Sequence, residues 1–226
     1  LVGLGGAPRA GIKLGEGKAD EANRIFHTAF CLLVLLGVVI GAAAFCFARQ
    51  IVLLFGCPES AVEFAVSYLK IYACGTIFVM LAQGLNPFIL TQGYSWLAMS
   101  SVLLGALINI ALDPLFIFVF HMGVRGAALA TSLAAVINVL VILILARAQK
   151  YPYLFHFKKH FRWNKKQVKI YFVKCFPIIC NEVLIGVGNM VINVVLGRQS
   201  EQAIAAIAVF RTLEGMVISF FAGFSN

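Results

Sequence analysis

Long apolar segments constrain this chain more than any other feature of its sequence. A helix needs about 20 mostly apolar residues to cross the roughly 30 Å hydrocarbon layer of a membrane. Six segments meet this requirement, and residues 1–8 resemble the end of an earlier one. The pattern predicts an all-α polytopic membrane protein, a helix bundle with about six transmembrane helices plus the end of another. The six segments cover residues 26–48, 59–90, 97–120, 126–146, 170–196 and 203–226.

Composition supports the same class. Hydrophobic residues make up 62% of the chain, charged residues only 12%, and the mean hydropathy is +0.95. A soluble domain of this size needs more charge to cover its surface, so lipid must provide a second apolar solvent. The net charge of +9 lies mostly in two short stretches between apolar segments, which favours contact with anionic lipid over nucleic acid. We expect no nucleic-acid partner.

The positions of Lys and Arg predict the orientation. Loops on one side of the membrane contain four of these residues in 9–24 and eight in 147–169. Loops on the other side contain only Arg49, Arg125 and Arg198. Because positively charged loops remain in the cytoplasm, the first two loops are predicted to be cytoplasmic.

The longest connection divides the chain. Residues 148–169 combine basic and aromatic side chains without an acid, which is typical of a linker on the membrane surface. We therefore predict one unit over residues 1–147 and a second over residues 170–226. Both ends of the chain lie inside apolar runs, so we expect a piece of a longer protein.

Asp113 is the strongest of three acidic candidates inside the spans, where a central charge costs about 2.5–3.5 kcal/mol on insertion scales. Asn109 lies one helical turn earlier, and Pro114 has no N–H to bond the carbonyl of Ile110. Carboxylate, amide and carbonyl oxygens are ligands that suit a small hard cation. The alternative is a carboxylate neutralised by a fixed structural partner.

Thr131 lies at a similar depth on the next segment. At about 1.5 Å per residue from the turn near Gly123, Asp113 is about 15 Å deep and Thr131 about 12 Å. Asn109, Asp113 and Thr131 therefore form the candidate metal site. The alternative for Thr131 is a hydroxyl bonded only to its own helix.

Glu182 and Glu214 lie about 18 Å and about 17 Å along their segments, near the membrane midplane. Hydrocarbon favours the neutral acid, so both are candidate proton carriers or partners of a cationic substrate. Pro177 opens the backbone before Glu182. For Glu214 the alternative is an intrahelical ion pair with Arg211.

Catalytic and cofactor motifs are not found. The glycine-rich start contains no phosphate-binding loop, and its small residues favour close helix packing. The sequence has no Ser/His/Asp or H-E-x-x-H arrangement, and its six cysteines form no C-x-x-C pair. We expect neither enzymatic activity nor a cofactor.

The run GALINIALDPLFIFVFHMGVRGAALAT resembles the hallmark of the multidrug and toxic compound extrusion (MATE) transporters, roughly N-I-x-L-D-P-x-F-I-F…M-G-V-x-G-A-A-x-A-T. GGAPRAGIKLGEGKADEA is similar to the family's cytoplasmic loop after its second helix, and FPIICNEVLIGVGN to the opening of its seventh. The resemblance implies a two-lobe transporter of twelve helices. This chain would span the end of helix two to most of helix eight, with residues 1–147 in the amino-terminal lobe and 170–226 beginning the carboxy-terminal lobe.

The resemblance also implies an activity: export of cationic or amphipathic compounds against an inward flow of sodium or protons, by alternating access. The family's amino-terminal cation site matches Asn109, Asp113 and Thr131, and a helix-seven acid implicated in coupling in some members matches Glu182. A further acid of that site belongs to helix one, which this sequence lacks. We expect a small-molecule substrate, contact with membrane lipid, a plasma-membrane location and a monomer at full length.

Two other functions compete with this one. A flippase for lipids or lipid-linked oligosaccharides, from the same superfamily, would need a more cationic cavity to hold pyrophosphate. A membrane scaffold without transport activity would not need Asn109 and Asp113 at the depth of Thr131. The choice between sodium and protons stays open.

Overall fold

Helices form because a backbone in lipid must satisfy its hydrogen bonds within its own segment. The computed structural model describes residues 2–148, 165–197, 209–215 and 217, and the regular elements of that part of the chain are all helical. A 3₁₀ turn, Glu59–Ala61, and a π-helical turn, Leu115–Val119, interrupt the α-helices. The helices are α1 (Val2–Gly15), α2 (Ala19–Cys46), α3 (Ala48–Leu54), α4 (Val62–Leu90), α5 (Ser95–Pro114), α6 (Val124–Ala148) and α7 (Lys165–Gly197).

Four helices of the described part are long and apolar enough to cross a membrane: α2, α4 with its 3₁₀ turn, α5 with its π-helical turn, and α6. They coincide with the first four predicted segments, which confirms the prediction of an all-α, multi-pass membrane protein. The fifth segment lies within α7, a helix of 33 residues. Of the sixth, the structure describes residues 209–215 and 217, which are helical, and the rest lies outside the described residues.

The prediction of a loop over residues 9–24 is wrong. Helix α1 continues to Gly15 and α2 begins at Ala19, so only three residues separate them. Charged side chains stabilise this tight connection, since Lys13 Nζ lies 2.8 Å from Glu16 Oε2 and Lys18 Nζ lies 2.9 Å from the same oxygen. The glycines and charged residues that predicted a loop belong mostly to the end of α1 and the start of α2.

The predicted linker 148–169 is shorter than expected at its far end, because α7 begins at Lys165. Residues 149–164 lie outside the described part of the chain. The division into units 1–147 and 170–226 stays a prediction. In the structure α7 lies against α1 and α2.

Helix α4 occupies the centre of the bundle and contacts α1, α2, α3, α5 and α6. Small residues allow these close approaches. A Cβ atom on Gly37 of α2 would lie 3.0 Å from the Cα of Ile77, and Gly75 of α4 leaves space for the Ser132 side chain of α6. Such packing stabilises helix pairs in lipid, where the hydrophobic effect between helices is absent.

An apolar core fills the end of the bundle that is predicted to face the cytoplasm. Phe26 of α2 packs edge to face on Phe88 of α4, with ring centroids 5.3 Å apart. Ile142 of α6 and Leu97 of α5 are buried in the same cluster. This core also includes Ala7 of α1, so it joins five helices, and it leaves the middle of the bundle free to hold polar groups.

Candidate cation and substrate site

The junction of α5 and α6 positions the predicted cation site. Helix α5 ends at Pro114, and in the π-helical turn that follows the N–H of Phe120 donates to the carbonyl of Leu115 at 3.0 Å. A Cβ atom on Gly126 of α6 would lie 2.8 Å from the carbonyl carbon and oxygen of Phe116. Only glycine permits this contact, so α6 is held directly against the turn. Single π-helical turns occur frequently at functional sites.

The structure brings Asn109 and Thr131 together across this junction. Asn109 Nδ2 donates to Thr131 Oγ1 at 3.3 Å, and Thr131 Oγ1 donates to the carbonyl of Ala127 at 3.0 Å. The hydroxyl therefore bonds to its own helix and also accepts from α5, because one hydroxyl has one hydrogen and two lone pairs. Since Asn109 uses its nitrogen on Thr131, its carbonyl oxygen remains as a possible cation ligand.

Asp113 lies one turn beyond Asn109 and is half-buried. Its Oδ1 atom is buried and has no hydrogen-bond partner. The described ion pairs include those of Lys13, Lys18 and Arg49, and none of them includes Asp113. Within the described part of the chain, the alternative of a fixed basic partner for this carboxylate has no support.

A cavity of about 300 Å³ opens between α4, α5 and α6 beside these residues. Both Asn109 and Thr131 line it, whereas Asp113 lies outside its lining. Charged side chains are absent from the lining as far as the structure describes the chain. The polar lining residues are Tyr72, Gln83, Asn86, Asn109, Thr131 and Asn138.

A second group of amides lines the same cavity and was not among the residues that the sequence singled out. Asn86 Nδ2 donates to the carbonyl of Ala98 at 3.0 Å and to Ser101 Oγ at 3.2 Å. Asn138 packs on Gly105, and its Oδ1 atom is buried without a hydrogen-bond partner. The sequence feature that could have identified them is an amide inside an apolar span, where polar side chains tend to face another helix.

The two other acidic candidates stay predictions. Glu182 lies in α7, but its side chain is outside the described part of the structure. Glu214 lies in the helical residues 209–215 and is exposed, and the described ion pairs do not include a pair between it and Arg211. Glu214 is not among the residues that line the described cavity.

The described residues contain no cluster of three or more His, Cys, Asp or Glu side chains that could hold a metal ion. A cation between α5 and α6 would therefore use amide and hydroxyl oxygens together with the Asp113 carboxylate. Oxygen ligands of these kinds suit a hard cation better than a transition metal.

Residues 1–115, half of the chain, match the family model described as MatE. The chain belongs to the MatE family. This confirms the resemblance seen in the sequence, and the matched region includes Asn109 and Asp113 but ends before Thr131. MatE proteins are membrane transporters and not enzymes.

Relatives of known name support this assignment. The chain is 28% identical over 215 residues to "Multidrug export protein MepA" of Staphylococcus haemolyticus (strain JCSC1435), covering 95% of this chain and 47% of that protein. It is 25% identical to a multidrug resistance MATE transporter solved in an inward-facing conformation, with a TM-score of 0.72 over 78% of this chain and 40% of that one. A MATE structure in a bent conformation, at 23% identity, has the same fold, with a TM-score of 0.78 over 92% and 46%. The chain spans about half the length of the relatives that it matches.

Proposed function

We propose that this MatE chain is part of a secondary exporter in which Asp113 alternately binds and releases a coupling cation. The observation that carries the proposal is the buried, unpartnered Oδ1 of Asp113, one helical turn from the hydrogen bond between Asn109 and Thr131. An ionised carboxylate without a partner is unstable in a medium of low dielectric constant. A sodium ion or a proton would neutralise it reversibly.

The neighbouring groups suit either ion. A sodium ion takes oxygen ligands, and the carbonyl oxygen of Asn109 is left over when its nitrogen bonds Thr131. A proton would turn the Asp113 carboxylate from an acceptor into a donor. In both cases the set of hydrogen bonds between α5 and α6 changes, and this change would bias the transporter between two conformations.

Cationic or amphipathic small molecules are the proposed substrates. The relatives are named for multidrug export and multidrug resistance. The cavity of about 300 Å³ lies at the lower end of the size range of small-molecule sites, about 300–1,000 Å³. Glu182 and Glu214 are proposed as further proton carriers or as partners of a cationic substrate. A flippase is less favoured, since the described cavity has no basic lining residue that would hold pyrophosphate.

The location and surroundings of the protein are further parts of the proposal. We infer a plasma-membrane exporter that contacts lipid directly and acts as a monomer at full length. The large apolar side chains that α5 exposes, such as Trp96 and Met99, support the lipid contact.

Efflux from vesicles tests the proposal. The full-length protein that carries this chain would be reconstituted with a fluorescent cationic dye, and a sodium gradient or a pH gradient would be imposed. One of the two gradients should drive efflux by the wild type. Asp113→Asn should abolish that effect, because the uncharged amide has no negative charge for the cation to neutralise.

Glu63→Gln is the matched control. Glu63 is an exposed acid near the start of α4, where its Oε1 lies 3.6 Å from Arg49 Nη1. This variant should keep gradient-driven efflux. If Asp113→Asn transports as the wild type does, the proposed role of Asp113 is wrong, and if neither gradient drives the wild type, cation coupling is wrong.

A further inference from the structure

We propose that Asn138 is a specificity-determining residue, whose carbonyl oxygen accepts a hydrogen bond from an N–H group of the exported compound. The inference rests on the proposed export function and adds a substrate class to it, namely amphipathic or cationic molecules that carry N–H donors. It depends on the second group of amides in the cavity, and not on the cation site at Asp113.

The geometry of α6 places Asn138 in the cavity. It follows Thr131 by seven residues, which is two helical turns, so the two side chains lie on one face of α6 about 10 Å apart along its axis. Ala134 and Ala135 lie between them on the cavity wall, and their small side chains leave space open. Asn138 therefore occupies the part of the cavity farther from the cation site.

The side-chain oxygen of Asn138 accepts no hydrogen bond in the structure. Its Oδ1 is buried and unpartnered, although nearly all buried polar atoms in proteins have a partner. A Cβ atom on Gly105 would lie 3.1 Å from Asn138 Nδ2, so the missing side chain of this glycine leaves the amide room to turn toward the cavity. The terminal torsion of Asn is broad, and such a turn needs little energy. A donor that enters the cavity can satisfy this oxygen.

The opposite wall offers the same kind of group. Asn86 of α4 donates both amide hydrogens, one to the carbonyl of Ala98 and one to Ser101 Oγ, so its side chain can only accept from a ligand. Gln83 also lines the cavity but is exposed, so water can satisfy its amide. At this level the walls present neutral acceptors. They recognise an N–H donor, and they do not distinguish ligands by charge alone.

Water is the competing partner for Asn138. A polar cavity of this size can hold ordered water, and a water molecule would satisfy the orphan oxygen equally well. In that case Asn138 would contribute to stability without affecting which compound is exported. The two roles are separated by comparing substrates with and without N–H groups.

The test uses two permanent cations, ethidium, which carries two aromatic amino groups, and tetraphenylphosphonium, which has no N–H group. Export of both by the full-length protein would be measured for the wild type and for Asn138→Leu. The variant should raise the KM for ethidium about five- to tenfold, which corresponds to the loss of one hydrogen bond. The KM for tetraphenylphosphonium should change less than about twofold.

Asn23→Leu is the control. Asn23 of α2 is also buried with an unpartnered Oδ1, but it does not line the cavity. It should leave the ratio of the two KM values unchanged. If Asn138→Leu does not accumulate in the membrane, Asn138→Ala removes the same acceptor without adding bulk and should change the ratio in the same direction.

Three results would overturn the inference. One is an equal change, or no change, in both KM values, which would indicate a water-bonded structural residue. A second is a changed ratio in Asn23→Leu as well. The third is a wild type that exports only tetraphenylphosphonium. A wild type that exports neither cation would overturn the proposed function and this inference with it.

Discussion

The apolar core and the polar cavity are neighbouring parts of one bundle, and they are built in opposite ways. In the core, Phe26, Phe88 and Ile142 are buried in one apolar cluster, and the rings of Phe26 and Phe88 pack edge to face. In the cavity region, Asp113 and Asn138 each carry a buried oxygen without a partner. Complete packing fixes a single arrangement, whereas unsatisfied oxygens can gain or lose a ligand. Stability and ligand binding are thus assigned to different regions.

Helix α4 contributes residues to both regions, and two of these residues are only two positions apart in the sequence. Phe88 faces the core, and Asn86 lines the cavity. Residues two apart on a helix point in nearly opposite directions, so one helix can serve both regions. Substitutions in the core should therefore lower stability, whereas substitutions in the cavity region should change ligand binding.

Phe88→Ala should have the largest effect on stability. Phe88 is 1% exposed, and removing its ring leaves a void between α2 and α4, with a cost of about 3–5 kcal/mol for a Phe→Ala change in a packed core. Thermal unfolding of the purified full-length protein measures this loss. Phe64→Ala, at a side chain that is 63% exposed, is the control. A loss no greater than that of the control would contradict the assignment of stability to the core.

Thr131→Val should have a moderate effect, mainly on ion dependence. The change removes the acceptor of Asn109 Nδ2 and costs about 1 kcal/mol, the typical net value of one hydrogen bond. The concentration of cation that gives half-maximal efflux should rise in Thr131→Val and return toward the wild-type value in Thr131→Ser, which keeps the hydroxyl. An unchanged ion dependence in the valine variant would show that Thr131 only supports its own helix.

Glu16→Gln should have the smallest effect, and it lies outside both regions. Hydrogen bonds from Lys13 and then Lys18 lower the pKa of Glu16 from 4.5 to about 2. Because the pKa is lowered in the folded state, the stabilisation is present above about pH 4.5 and is lost as the pH falls toward 2. The melting temperatures of the wild type and Glu16→Gln should therefore converge over that range. The side chains are exposed and screened, and a constant gap between the two would contradict the ion-pair account.

The sequence predicted most of the helices, because a run of about 20 apolar residues that crosses a membrane almost always does so as a helix. It also placed Asp113 on α5 and Thr131 on α6 at a similar depth by counting residues from the turn near Gly123, with Asn109 one helical turn from Asp113. The contact between their faces could not be derived in this way. That contact depends on the close approach at Gly126 and on the π-helical turn before it, and neither has a signature in hydrophobic periodicity.

The errors have a similar origin. The glycines and charges of residues 9–24 predict a loop, but ion pairs around Glu16 hold two helix ends together there. Asn138 is absent from the predicted site because the sequence does not show whether an amide inside a span has a hydrogen-bond partner. Whether a polar atom is satisfied depends on the neighbouring helices, and one segment of sequence does not contain that information.

Cation-dependent thermal stability tests the central claim most directly. The melting temperature of the purified full-length protein would be measured while sodium replaces choline at constant ionic strength, and separately over a series of pH values. A ligand that binds the folded state raises the melting temperature. The wild type should respond to sodium or to pH through Asp113, Glu63→Gln should respond equally, and Asp113→Asn should lose that response. An Asp113→Asn variant that retains the full wild-type response would contradict the claim that Asp113 binds the coupling ion.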